Sequence, residues 1–98
     1  SSSCARMRRF DRVENTSVER YSIVYKDNKC GLYDTQADSL VTAIKYDALK
    51  YGRTASEGEY EFTIWVGEME DYEGMLSIES TTNERMEIMF PKKGESTE

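Results

Sequence analysis

An alternating stretch near the middle of the chain constrains the fold more than any other feature of the sequence. In "EYEFTIWV" (59–66) every second side chain is apolar, at Tyr60, Phe62, Ile64 and Val66. Successive side chains of a β-strand point to opposite faces, so this alternation is typical of a strand with one buried face. Glu61 and Thr63 occupy the positions between. We therefore expect Phe62 to face the core and Trp65 to lie on the opposite face.

Four further runs, rich in aromatic and aliphatic residues, predict additional strands. They are "YSIVYK" (21–26), "CGLYD" (30–34), "MLSIE" (75–79) and "RMEIMF" (85–90). The first two runs are separated by "DNK", in which Asp27 and Asn28 tolerate the positive φ that a tight hairpin turn needs. Pro91 follows the last run and is expected to end it, because proline has no N–H to continue a ladder.

The segment "DSLVTAIKYDALKYG" (38–52) allows two interpretations. Its apolar residues fall near helical spacing, and Gly52 is suited to end a helix, so the local pattern slightly favours a helix at about 39–51. The same residues also form two short strands, "LVTAI" and "ALKYG", with a turn at "KYD" between them. The slight local preference for a helix leaves both structures open.

The chain also contains two similar units, at about 21–52 and 60–91. In each unit a strand leads to a turn, a glycine and a short apolar run, followed by a polar break and a final apolar segment. Gly31 and Gly74 occupy equivalent places in the two units. Repeats of this length predict stacked supersecondary units that share one core.

The first unit resembles the WG repeat, also called the KWG repeat, of bacterial proteins. The resemblance covers about a quarter of the chain, "NKCGLYDTQADSLVTAIKYDAL". The matching residues are Asn28, Lys29, Gly31, Leu32, Tyr33, Asp34, Val41, Tyr46 and Asp47. The chain departs from the family at Cys30, where tryptophan is usual, and at Thr42 and Ala43, where prolines are common. The second unit keeps Gly74 and the final strand, and is degenerate.

This resemblance implies β-hairpin repeats in cell-envelope or secreted bacterial proteins, without a common catalytic activity. It favours strands for residues 38–52. We therefore expect an all-β fold, an antiparallel meander of six or seven strands that forms a bent sheet or a small open barrel. The alternative is an α+β fold with one helix at about 39–51. We expect a linker arm over residues 1–19, a single β domain over 20–93 and a polar tail over 94–98.

Charge and composition exclude several functions. The chain has a net charge of −6, and its first twelve residues hold four arginines against Asp11, so the remainder carries −9. An acidic body repels phosphate backbones, which argues against nucleic-acid binding. The sequence contains no histidine, which excludes Ser-His-Asp and Cys-His catalysis. No apolar run reaches the ~18 residues of a transmembrane helix.

The remaining candidates for chemistry are a cysteine and several carboxylates. Cys30 stands where the family has tryptophan and is expected to pack in the core. Asp34 and Asp47 are candidates for a carboxylate pair, as in a glycan-acting enzyme fragment, but each ends an apolar run where turns use aspartate. An acidic cluster in the turn "GEMEDYEG" (67–74) fits either a calcium site or a solvent-exposed hairpin end, and we favour the hairpin end. It consists of Glu68, Glu70, Asp71 and Glu73.

We expect a non-catalytic binding or scaffolding module of the cell envelope, or a secreted one, without a metal or cofactor. The candidate binding residues are Trp65, Tyr25 and Tyr51, which would form an aromatic sheet face for a protein or glycan, unless both sheet faces are covered. Cys4 in "SSSCA" is the lipid acceptor if the start of the chain is a lipoprotein signal. A purely structural repeat that self-associates through strand edges is the remaining alternative.

Overall fold

A computed structural model describes residues 9–93 of the chain. These residues form two four-stranded antiparallel sheets, each with its strands in chain order. The N-terminal sheet consists of β1 (Arg12–Asn15), β2 (Tyr21–Lys26), β3 (Lys29–Asp34) and β4 (Ser39–Leu40). The C-terminal sheet consists of β5 (Ala48–Glu57), β6 (Tyr60–Met69), β7 (Tyr72–Glu79) and β8 (Arg85–Pro91). The predicted all-β meander is confirmed, with two sheets instead of a barrel over this part of the chain.

The alternative of a helix at about 39–51 is wrong. Residues 39–40 and 48–57 are strands, and the segment between them crosses the core irregularly. Tyr46 re-joins β3 there, because its backbone N–H and C=O both bond to the backbone of Cys30, at 3.0 and 2.8 Å. The apolar residues at helical spacing therefore belong to an irregular segment. Val41 and Tyr46 pack in the core between the sheets, and Ile44 packs against Phe10, Val24 and Tyr33.

The prediction of a linker arm over residues 1–19 is also wrong for the residues of that range that the structure describes. β1 pairs with β2 from Arg12 to Asn15, and Phe10 is buried at 8% exposure. All four side chains of β1 are exposed, so the strand has no apolar alternation that its sequence could reveal. The outer residues 1–8 and 94–98, with Cys4 and the predicted tail, lie outside the described part.

Turn geometry agrees with the sequence. Asp27 and Asn28 have φ angles of 55° and 67°, as a type I′ turn between β2 and β3 requires. The β5–β6 hairpin turns at Gly58, which has a φ of 62°.

The two units repeat a second kind of turn. After β3, one side-chain oxygen of Asp34 accepts the backbone N–H groups of Gln36 and Ala37, at 2.9 and 3.1 Å. After β7, Glu79 accepts the N–H groups of Thr81 and Thr82, each at 3.1 Å. Each turn ends on a residue with positive φ, Asp38 in the first unit and Asn83 in the second. The carboxylates that close β3 and β7 thus organise equivalent turns.

Gly31 and Gly74 also serve the same purpose. A Cβ on Gly31 would lie 2.7 Å from the carbonyl oxygen of Ala43, and one on Gly74 would overlap that of Ile88. In both units the following segment passes so closely that a side chain has no room. The equivalence inferred from the sequence is therefore a shared packing requirement.

The main core lies between the two sheets. It contains Tyr21, Ile23, Cys30, Leu32, Val41, Tyr46, Leu49, Trp65, Leu76 and Ile78. A second cluster covers the other face of the N-terminal sheet, where Phe10 packs with Val24 and Tyr33, and Ile44 lies against them. The N-terminal sheet is therefore covered on both faces.

The burial of β6 is the reverse of our expectation. Thr63, Trp65 and Gly67 face the core, whereas Phe62 and Ile64 lie on the outer side. Trp65 is fully buried and meets the rings of Tyr21 and Tyr51 edge to face, at centroid distances of 5.9 and 5.4 Å. Its indole N–H donates to Thr63 Oγ1 at 2.8 Å. The largest side chain determines which face is buried.

Candidate functional site

An apolar surface covers the side of the C-terminal sheet that faces away from the core. We call it the outer face, and it consists of Tyr60, Phe62, Ile64, Val66, Met75, Ser77, Met86, Ile88 and Phe90. The pairing register aligns these side chains across the strands. Val66, Met75 and Ile88 form one row, and Ile64, Ser77 and Met86 form the next. Directly opposed side chains contact one another, so the surface is continuous.

The outer face is well exposed. Met86, Phe90 and Tyr60 expose 65%, 58% and 54% of their surface, and Met75 exposes 48%. These exposed apolar side chains are contiguous, and large contiguous apolar patches on a protein surface usually mark binding sites. No element within residues 9–93 packs on this side of the sheet.

The rim of the outer face is charged. Lys50 and Arg53 of β5 lie beside Val66 and Ile64. At one end Glu68 and Glu73 are directly opposed, and Lys92 lies 3.5 Å from Glu68. A polar rim around an apolar centre is the usual anatomy of a protein interface.

A groove of about 620 Å³ runs along the other end of the outer face. Its lining residues are Tyr60, Phe62, Ser77, Glu79, Thr82, Glu84, Arg85 and Met86. Glu79 is committed to the β7–β8 turn, whose hydrogen bonds from Thr81 and Thr82 lower the pKa of its carboxyl. The groove therefore extends the apolar surface and holds one other carboxylate, that of Glu84.

The three predicted binding aromatics belong to the core cluster and do not form an exposed face. Trp65 has no exposed surface, so its predicted contact with a ligand is not possible in this structure. Tyr25 is half-buried, with its hydroxyl donating to Glu14 at 2.7 Å. Tyr51 is half-buried and lines two open clefts of about 440 and 470 Å³. A binding role for Tyr25 and Tyr51 stays a prediction.

The candidate carboxylate pair belongs to two separate networks. Asp34 is fully buried and accepts hydrogen bonds from Arg20 at 2.9 Å and Asn83 at 2.6 Å. Burial alone would raise its pKa, but these bonds outweigh burial and hold the pKa below its ordinary value. Asp47 lies on the surface and pairs with Lys29. The structure thus assigns both aspartates to structural contacts.

Arg20 and Asn83 make the Asp34 network a joint between the sheets. Arg20 precedes β2, and its guanidinium also donates to the carbonyl of Ser80 at 2.7 Å. Asn83 accepts the hydroxyl of Tyr21 at 2.7 Å. Residues of the N-terminal sheet are therefore bonded to the β7–β8 turn of the C-terminal sheet.

Cys30 is fully buried in the main core, and burial raises the pKa of its thiol to about 11. A thiol with this pKa is protonated at neutral pH and is a poor nucleophile. The acidic group of Glu68, Glu70, Asp71 and Glu73 lies at the β6–β7 hairpin, and no set of three or more potential ligands within residues 9–93 is placed to hold a metal ion.

The outer face was not predicted, because an alternating strand has the same sequence pattern whether its apolar side faces the core or solvent. "RMEIMF" begins with alternating polar and apolar residues, a pattern that predicts a strand but fits an apolar side towards the core or towards solvent. A further signal was present in the chain. β2 and β3 are nearly continuous apolar runs, as expected for strands buried on both faces, whereas β8 alternates.

Within the described residues, no helix has the length and hydropathy that crossing a membrane requires. Comparisons with protein-family models, with curated proteins and with solved structures give no match.

Proposed function

We propose that this protein is a non-catalytic binding module that contacts another protein through the outer face of its C-terminal sheet. The observation that carries the proposal is the continuous apolar surface formed by three neighbouring strands, β6 to β8. A soluble domain that exposes such a surface gains free energy when a partner covers it.

The side chains favour a protein partner over a glycan. The exposed centre of the outer face holds methionine, isoleucine, valine and phenylalanine, and Ser77 supplies one hydroxyl. A glycan buried there would lose hydrogen bonds to water without gaining replacements. Methionine and aromatic residues are enriched in protein interfaces, and methionine adapts to the shape of its partner. A cell-envelope or secreted location, expected from the resemblance to WG repeats, stays a prediction.

Site-specific photo-crosslinking tests the proposal. A photoreactive amino acid replaces Met86 on the outer face, or Gln36, which is exposed in the turn after β3, as the matched control. In cells of the source organism, the Met86 probe is expected to give a discrete adduct with one protein other than this chain itself, and the Gln36 probe is expected to lack it. The substitution Phe90→Asp is expected to abolish this adduct and to leave the urea midpoint nearly unchanged. The same adducts from both probes, or an adduct that survives Phe90→Asp, would contradict the proposal.

A further inference from the structure

β8 is an open sheet edge that is long and regular. It pairs with β7 over all seven of its residues, and no strand within residues 9–93 pairs with its other side. The opposite edge, β5, contains a register shift between Tyr51 and Arg53. In the N-terminal sheet, the edge strands β1 and β4 have four and two residues. Bulges and short strands prevent edge pairing, so β8 is the edge best suited to accept another strand.

The backbone groups that β8 leaves open can be identified. Glu79 donates its N–H to the carbonyl of Glu84, and Lys92 donates its N–H to the carbonyl of Asp71. Because hydrogen-bonded residues alternate along an antiparallel ladder, the even-numbered residues of β8 bond to β7. The backbone groups of Arg85, Glu87 and Met89 therefore point to the open side. Pro91 also has this orientation, so its missing N–H costs the existing sheet no bond.

We propose that a second copy of this chain pairs with β8 in antiparallel fashion, around a two-fold axis at Ile88. In this register Glu87 lies opposite Met89 of the second copy, and the two residues exchange both backbone hydrogen bonds. Arg85 donates its N–H to the carbonyl of Pro91 of the second copy. The two-fold axis makes each of these contacts twice, as an isologous interface requires. The outward groups of β8 are thus used by the same strand of the other copy.

The charges along β8 favour this register over those in which the two-fold axis lies one residue away. With the axis at Ile88, Glu84 lies opposite Lys92 of the second copy, and the pair occurs twice. An axis at Glu87 would oppose two Glu87 carboxylates, and an axis at Met89 would oppose Arg85 to Lys93 of the second copy. Like charges directly opposite each other destabilise a sheet, and opposite charges stabilise it.

The side-chain pairs on both faces of the sheet are also compatible with the register centred on Ile88. On the outer face Met86 lies opposite Phe90 of the second copy, and the two Ile88 side chains meet at the axis. On the inner face, Glu87 is already held by Tyr46 and by Lys45 at 3.0 Å, which lowers the pKa of its carboxyl despite burial. An unpaired inward charge would oppose edge pairing, and this one is compensated. The product is an eight-stranded sheet with a doubled outer face, and it forms whether or not that face binds a partner.

Disulfide trapping of the full chain tests the axis. In the background Cys4→Ser, Ile88→Cys places two thiols at a pair whose Cα atoms are about 4.5 Å apart, within the range that a disulfide spans. Met86→Cys is the matched control, because its two copies would lie about 13 Å apart along the strands. We expect mild oxidation to give a covalent dimer for Ile88→Cys at a yield at least tenfold that of Met86→Cys. Equal yields would indicate stacking of the outer faces and would overturn the proposal.

Charge exchange provides a test that does not rely on cysteine. Sedimentation equilibrium of the unmodified chain is expected to show a monomer–dimer equilibrium. Glu84→Lys or Lys92→Glu alone should raise the dimer dissociation constant about tenfold, because each variant creates two like-charge pairs. Combining both substitutions restores opposite charges and should return the constant to within about threefold of the original value. A chain that stays monomeric at several hundred micromolar, or a double variant as weak as the single ones, would overturn the proposal.

Discussion

The two sheets have the same number of strands in the same sequential order, but they differ in what covers them. The N-terminal sheet is covered on both faces, so Val24 and Tyr33 are fully buried on the side away from the core. The C-terminal sheet has an equivalent side on which Val66 and Met75 expose 36% and 48% of their surface. The cover of the first sheet comes from Phe10 and Ile44, which lie in segments outside the regular strands. An apolar sheet face is therefore structural in one half of the molecule and available for binding in the other.

The largest expected effect distinguishes the two faces of the C-terminal sheet. Trp65→Ala removes a fully buried indole and its contacts with Tyr21 and Tyr51, and should lower the free energy of unfolding by about 4 kcal/mol. Phe90→Ala on the outer face should lower it by less than about 1 kcal/mol, because Phe90 is 58% exposed. Urea unfolding of both variants measures the difference. Similar losses would mean that the outer face is covered in solution, for example by the second copy.

The joint between the sheets should give the next largest effect. Asp34→Asn removes the carboxylate that pairs with Arg20, and should cost about 3 kcal/mol at pH 7 because it leaves a partly buried guanidinium unpaired. The pKa of Asp34 is lowered from 3.8 in the folded state, so protonation favours the unfolded chain. Its contribution is present above pH 3.8 and is lost as the pH falls through the lowered value.

Comparing the unfolding of Asp34→Asn with that of the original chain across pH 2–7 isolates this contribution. Glu79 and Glu87 also have lowered pKa values, but both proteins contain them, so their contributions cancel. The loss of stability below pH 3.8 should be smaller in the variant than in the original chain. Parallel pH profiles would show that the Asp34 carboxylate does not stabilise the joint.

The same chemical change on the covered and on the uncovered sheet face gives a smaller but sharper comparison. Val24→Ala, on the covered second face of the N-terminal sheet, should cost about 2 kcal/mol, whereas Val66→Ala, on the outer face, should cost less than about 1 kcal/mol. Both valines lie in strands that pair on two sides, so the loss of β propensity is matched. Equal losses in thermal or urea unfolding would contradict the difference in cover.

Thiol reactivity compares how accessible side chains on the two sheets are, without a measurement of unfolding. In the background Cys4→Ser, Cys30 should resist alkylation at pH 8 while the protein is folded, since it is buried and its pKa is raised to about 11. A cysteine introduced on the outer face by Met75→Cys should react at least about a hundredfold faster, because it is exposed and titrates near 8.5. Urea-unfolded protein, in which both thiols should react alike, is the control.

Much of the fold followed from local patterns. The type I′ turn at Asp27 and Asn28 depends on properties of the residues at those positions, and the repeated pattern marked Gly31 and Gly74 as equivalent. The strand at 59–66 followed from its alternation. The edge strand β1 did not, because its four side chains are all exposed and show no apolar alternation. Backbone pairing with β2 and the contacts of Arg12 and Glu14 with Tyr25 hold it in place.

The candidate site shows what local sequence patterns do not determine. Alternation in β6 and β8 indicates that one face is apolar and the other mixed, but the same pattern fits either face towards the core. The choice was made by Trp65, which fills the space between the sheets. On the same face the ring of Tyr46 packs over Gly67, where an added Cβ would lie 3.1 Å from that ring. The residues of the chain determine that it is β and where it turns, because these are local properties. The need for glycine at positions 31 and 74 comes instead from the segments that pack against them. Which apolar side chains stay exposed depends on how the two sheets pack, since a core between two sheets can bury one face of each and leave an apolar outer face uncovered.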